Sequence, residues 1–156
     1  MSSQENAELA RYHVEELWNN HNFDIVDEIY TEDFVIRSMW PNPLLPGGQG
    51  DRQGAKEAAK RWVDVFPDMH FGFDHVVADE EGKVVTVHTC TGTDTAGVLL
   101  RPPTGKKVSV TGILVHQMRD GKISNLWTMF DLWACMIQLG HIPMGPPPEA
   151  GGPPSS

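Results

Sequence analysis

Two histidines stand on runs of alternating polarity, His88 in "KVVTVHTCTGT" and His116 in "KVSVTGILVHQM". Imidazole suits proton transfer near neutral pH, its reference pKa being about 6.5. Two such rings lining one cavity from different strands would define a reaction type. One would remove a proton alpha to a carbonyl, and the other would hydrogen-bond to the developing enolate oxygen. Alternation puts Val84, Thr86, His88 and Cys90 on one face of their run, so Thr86 and Cys90 share the surface that His88 meets. Asp131 follows the last strand-like run; it is a third acid–base candidate, and its position equally suits a helix N-cap. The plain alternative for each histidine is a hydrogen-bonded structural residue.

The orientation of His116 depends on the turn inside "VHQMRDGKISNLWTMFD". If Asp120-Gly121 is a two-residue type I′ turn, Arg119 pairs with Lys122, His116 lies opposite Asn125, and Leu114 shares a face with Trp127. If Arg119-Asp120-Gly121 form a three-residue loop with a glycine bulge, His116 opposes Ser124. In that register Leu114, His116, Leu126, Thr128 and Phe130 share one face.

Around these residues the periodicity changes from helical to strand-like. Ala10, Val14, Leu17 and Trp18 recur at helical spacing and predict a helix over about residues 4–20. Asp24 can cap a short second helix carrying Ile25, Val26, Ile29 and Tyr30 inward. In "DFVIRSMW" Phe34, Ile36, Ser38 and Trp40 share a face. The Pro/Gly-rich "PNPLLPGGQG" is long enough to act as a lid, and equally reads as a plain connector. Ala55, Ala59, Trp62, Val63 and Phe66 mark a third helix stopped by Pro67. Four strand-like runs follow, beginning with "MHFGFDHVVAD", where alternation groups His75 with Phe71 and Phe73. A last helix, "LWACMIQL", ends at Gly140. Helices followed by a meandering sheet predict an α+β domain over 1–145, with a Pro/Gly/Ser-rich disordered tail over 146–156.

The composition excludes several function classes. With 156 residues and 40% apolar content the chain can bury one core. A net charge of −9 and a pI near 5.1 argue against a nucleic-acid partner. No run approaches the roughly 18–20 apolar residues of a membrane span. No metal site is expected, because the seven histidines are scattered and Cys90 and Cys135 have no ligand spacing. A reduced, cytoplasmic protein is the expectation.

The blocks "LWNNHNFDIVDEIYTEDFV", "FPDMHF", "GTDTAGVLLRPPTGKKVSVTG", "DGKISNLWTMFD" and "QLG" occur in this order. Together, over about residues 6–140, they closely resemble the SnoaL-like polyketide cyclase family of the nuclear-transport-factor-2-like superfamily. The resemblance implies a cone of curved antiparallel strands, closed by N-terminal helices around a pocket and paired into homodimers through the outer sheet face. It further implies cyclisation or isomerisation of an apolar polyketide-like or terpenoid-like molecule without metal or organic cofactor, or binding of such a molecule without chemistry.

The departures concern the machinery. The catalytic Asp of the well-studied cyclases falls at Thr128, and their assisting His at Leu114. The ketosteroid isomerases' base falls near Ser38, their acidic oxyanion donor at Leu114, and their tyrosine near Val14. The resemblance favours the second hairpin register, in which positions 114 and 128 both look inward. The site expected on these grounds has His116 and His88 as acid–base groups and Ser38 and Thr128 as orienting hydroxyls. Trp40, Trp62, Phe130 and Leu114 would form the apolar wall.

Overall fold

Helix α1, Ser3–Val14, begins at a reciprocal cap in which the Ser2 hydroxyl accepts from the Glu5 N–H and the Glu5 carboxylate from the Ser2 N–H. Its inward stripe is Asn6, Ala10, His13 and Val14. The chain then widens into a π-helical turn, Glu15–Asn19, that buries the consecutive Leu17 and Trp18. The expected helix over residues 4–20 is thus α-helical first and π-helical last. Short α2, Ile25–Ile29, buries Ile25, Val26 and Ile29 as anticipated. Asp24 does not cap it; the carboxylate meets Lys56 Nζ at 2.7 Å instead.

The computed structural model describes residues 1–39 and 45–145, so Trp40 and the tail over 146–156 lie outside the described residues. Strand β1 (Tyr30–Ser38) is followed by the two-residue β2 (Gln49–Gly50) and helix α3 (Arg52–Val65), capped by the Asp51 side chain on the Gly54 N–H. Of the proposed lid loop, only residues 45–50 are described. They carry a buried Leu45 and the β2 pairing to Ile36 and Arg37. The meander β3 (His70–Ala78), β4 (Lys83–Thr93), β5 (Lys107–Arg119) and β6 (Lys122–Phe130) leads to α4 (Leu132–Gln138).

Among the described residues the strands form one curved, unclosed sheet of order β2-β1-β6-β5-β4-β3. Every pair is antiparallel except β1–β6. That pair is parallel because the whole meander intervenes between its strands, which supplies the long crossover a parallel pair needs. The architecture is the α+β cone anticipated from the order of elements.

Two one-residue irregularities decide which side chains face inward. In β3 Phe73 pairs with His88 but His75 pairs with Val87, so Asp74 is the extra residue. Asp74 and His75 are both exposed and Val76 takes the inward place, which overturns the grouping of His75 with the phenylalanines. In the β5–β6 hairpin, Asp120 (φ 51°) and Gly121 (φ 76°) make the two-residue turn, with Arg119 opposite Lys122 and Met118 opposite Ile123. The register then slips, so that Gln117 faces Asn125, His116 faces Leu126 and Leu114 faces Thr128. Ser124 is the inserted residue. It is buried beside the equally buried Ile123, and its hydroxyl donates to the Gln117 carbonyl at 3.1 Å. The turn is that of the first register, while the inward face is that of the second, because the bulge lies within the strand rather than in the turn.

Deleting Ser124 would restore strict alternation and turn Leu126, Thr128 and Phe130 outward. The expected outcome is loss of a cooperative thermal transition by circular dichroism, whereas Ser124→Ala costs only about 1 kcal/mol.

Candidate functional site

The register places inward side chains in rows across the sheet. One row runs Ser38 (β1), Thr128 (β6), Leu114 (β5), Thr86 (β4) and Val76 (β3). Toward the open end lies the row Phe130, Gly112, His88 and Phe73. Toward the hairpin lies Ile36, Leu126, His116, Val84 and Ala78.

A cavity of about 110 Å³ opens over the β1–β6–β5 part of these rows. Ser38, Thr128, Leu114, Phe130 and Gly112 form its sheet side, with Ile36 beside them. Trp18, Ala58 and Trp62 approach from the helices, and Met69, Phe71, Leu45, Leu99 and Leu132 complete the wall with Met129. Gly112 allows the close approach of β4, since a Cβ there would stand 2.8 Å from Cys90 Sγ. Among the described residues the wall carries no ionisable side chain; its polar groups are the Ser38 and Thr128 hydroxyls and the two indoles. Ser38 and Thr128 are direct neighbours across the parallel pair, on one face.

Of the residues anticipated from sequence, the structure brings Ser38, Trp62, Leu114, Thr128 and Phe130 to this cavity. It does not bring His88, His116, Thr86, Cys90 or Asp131 there. Asp131 caps α4, its Oδ1 accepting from the Ala134 N–H at 2.9 Å. Cys90 borders a void of about 10 Å³ behind Phe71 and Phe130, and burial pushes its thiol up to about 12. Thr86 is fully buried, its hydroxyl 2.7 Å from His88 Nε2.

His88 shares the sheet's inner face with the cavity but stands behind Phe71, one strand beyond Gly112. It forms part of a ladder of rings. Trp18 stacks on Phe71 at 5.1 Å, Phe71 lies 5.5 Å from His88, His88 lies 5.0 Å from Phe73, and the Arg11 guanidinium covers Phe73. The end of this ladder at the cavity is fixed by Asn19, whose side-chain amide accepts from the Phe71 N–H at 2.8 Å and donates to its carbonyl at 3.2 Å. Burial pushes the His88 pKa down to about 4, so the ring is neutral at physiological pH.

His116 lies two rows nearer the hairpin than His88 and is fully buried under α1. Its partner is a residue that helical periodicity did not single out. His13 Nδ1 stands 3.0 Å from His116 Nε2, and Tyr30 Oη stands 2.7 Å from His13 Nε2. His116 Nδ1 faces the Val84 carbonyl at 3.3 Å. A carbonyl only accepts, so the bonding fixes the tautomers. His116 Nδ1–H donates to Val84, His13 Nδ1–H donates to His116, and the Tyr30 hydroxyl donates to His13. Every nitrogen of both rings is thereby engaged with both rings neutral. Burial holds His13 well below the usual imidazole range and pushes His116 down to about 4; it raises the Tyr30 phenol. The pairing imagined for His116 and His88 in one pocket is replaced by a His–His–Tyr relay inside the core.

The sequence contained little that would single out His13. It occupies the helical position beside Val14, and only the packing of α1 on the sheet shows that it faces inward. Trp18, by contrast, was visible as an apolar helical residue, and it lies in the π-helical turn.

The chain belongs to the SnoaL-like polyketide cyclase family, whose pattern matches residues 8–139. Solved structures share the fold. AclR from Streptomyces galilaeus, provisionally described as a hydroxylase, is 21% identical with a TM-score of 0.77, covering 91% of this chain and 100% of its own. A provisionally described SnoaL-like polyketide cyclase from Jannaschia sp. is 20% identical with a TM-score of 0.78, covering 90% and 95%. IdmH from Streptomyces antibioticus, provisionally described as a polyketide cyclase, is 26% identical with a TM-score of 0.72, covering 86% and 98%. No curated protein sequence matches the chain.

The buried histidines predict a pH dependence of stability. Their folded pKa values lie below the unfolded value of about 6.5, so the unfolded state binds more protons between those limits. Stability is fully present above pH 6.5 and is lost as the pH falls toward the folded values, which for His88 and His116 are about 4, by about 1 kcal/mol per pH unit for each of those two rings; His13 shifts it in the same direction. Urea unfolding at pH 7 and pH 5 checks this. A His13→Phe, His116→Leu double variant should show a flatter profile.

Proposed function

We propose that the protein binds an apolar, carbonyl-bearing small molecule of polyketide or terpenoid type and promotes its cyclisation or isomerisation by confinement, without a cofactor. The observation that carries this reading is the inner row Ser38–Thr128–Leu114 on the cavity wall. Those are the positions where cyclases and isomerases of this fold class were expected to hold acid–base groups, and here they offer two hydroxyls and a leucine. Neighbouring hydroxyls can donate to one carbonyl oxygen and stabilise negative charge developing on it, the alpha proton passing to solvent water and returning from it to the product. An apolar wall around them folds a flexible chain toward a reactive conformer. His116 and His88 then act as core residues, and Asp131 as a cap.

A second reading, binding without turnover, is favoured by the lack of any ionisable side chain among the described wall residues. Among the described residues no helix is long and apolar enough to cross a membrane, and a cytoplasmic protein remains our reading. We also infer a homodimer formed through the outer sheet face, where Val77 and Met129 are exposed and Val85, Val87, Val115 and Trp127 are half-buried.

The test incubates the protein with a linear poly-β-ketone ester and with a cyclic terpene ketone. Isomeric products are followed by chromatography and mass spectrometry. A product of unchanged mass and new retention time is expected, formed about tenfold more slowly by Thr128→Val. Recovery of bound but unchanged ketone would establish the binding reading instead.

A further inference from the structure

The geometry points to Leu99 as the gate of the cavity, one that admits ligands larger than the closed cavity only when a strained arch, residues 99–103, releases it. This inference rests on the cavity being the ligand site. Leu99 is part of the cavity wall and yet 42% exposed, so it stands at the mouth. Its backbone is left-handed (φ 49°), and so is that of Leu100 (φ 63°). Leucine is disfavoured in that region because its Cβ crowds the following carbonyl. Two successive leucines there persist only because their surroundings impose it.

The imposing groups lie at the feet of the arch. On the near side Val98 is buried, and Gly97 (φ 87°) packs so closely that a Cβ would stand 1.8 Å from the Arg101 carbonyl oxygen. On both sides the buried Asp94 acts as a clamp. Its carboxylate accepts from the Gly97 N–H at 2.8 Å and from the N–H and hydroxyl of Thr104, each at 3.0 Å. Its backbone pairs with Lys106 and Gly105. Asp94 thus fixes the two ends of the arch. Between them Leu99 to Pro103 are exposed, and Pro102-Pro103 stiffens the span.

Size supplies the second argument. About 110 Å³ suits a single ring, whereas drug-sized ligands occupy sites of roughly 300–1,000 Å³. A polycyclic or folded-chain ligand needs Leu99 displaced. Displacement relieves the left-handed strain at both leucines while Asp94 holds the feet, so the arch is poised to open under a large ligand and to reclose behind it. Leu99 thereby separates ring-sized from larger ligands.

Two neighbouring substitutions separate gate from wall. Leu99→Ala removes the gate. Leu100→Asn changes a side chain that is 92% exposed, and asparagine tolerates the left-handed region, so it relaxes the closed arch without altering the cavity. The probes are benzene and the larger fluorescent N-phenyl-1-naphthylamine, with stopped-flow association and equilibrium titration as readouts. Leu99→Ala should speed association of the larger probe about tenfold. Leu100→Asn should weaken that probe about fivefold and leave benzene within about twofold. Equal binding of N-phenyl-1-naphthylamine by wild type and both variants, displaceable by benzene, would overturn the gate and leave the cavity as ligand site. Tighter binding by Leu100→Asn would overturn it too. Failure of all three proteins to bind either probe would overturn the ligand site and the gate together.

Discussion

The inner face of this protein depends on one inserted residue. Ser124 takes up the mismatch between a tight two-residue turn and a hairpin whose apolar residues must all face the helices. A side chain in a strand has only two directions, so a single extra residue inverts everything beyond it. Downstream of Ser124 that inversion turns Leu126, Thr128 and Phe130 inward, and β1 then aligns Ser38 beside Thr128 through the parallel pairing. The serine hydroxyl bonded to the Gln117 carbonyl makes the insertion tolerable at a buried position.

The same inward face is divided by what it must satisfy. Where α1 covers the sheet near the hairpin, polar side chains are fully enclosed and complete one another through Tyr30, His13, His116 and the Val84 carbonyl. A buried imidazole is acceptable when neutral and bonded at both nitrogens, and protonation would break the donor order along the relay. Over β1, β6 and β5 the wall is apolar and a cavity remains. The π-helical turn and the Asn19 clamp on Phe71 mark the border between these halves, holding the Trp18–Phe71 stack upright.

This division bears on chemistry. The wall positions at which related enzymes were expected to hold acid–base groups contain Thr128 and Leu114, and the histidines that could have replaced them are bonded into the core or stand behind an aromatic ring. What the cavity offers a ligand is shape, apolar surface and paired hydroxyls. On the function we propose, such a site suits compounds whose reaction is largely intramolecular, since orientation alone can supply much of the barrier lowering there.

The sequence by itself determined the class of fold. Helical spacing through Trp18 and around Ala55–Phe66, the change to alternation after Asp33, and the ordered blocks shared with the cyclase family all act locally or collectively along the chain. It also made Asp131 readable as a cap and Ser38, Thr128 and Leu114 readable as inward positions. Only the tertiary structure decided that His116 meets His13, that His88 stands behind Phe71, and that Asp74 and Ser124 are the inserted residues. Those outcomes depend on the pairing partner and on the helix packed above, which lie up to a hundred residues away, and a one-residue bulge leaves no periodic trace in the strand that contains it.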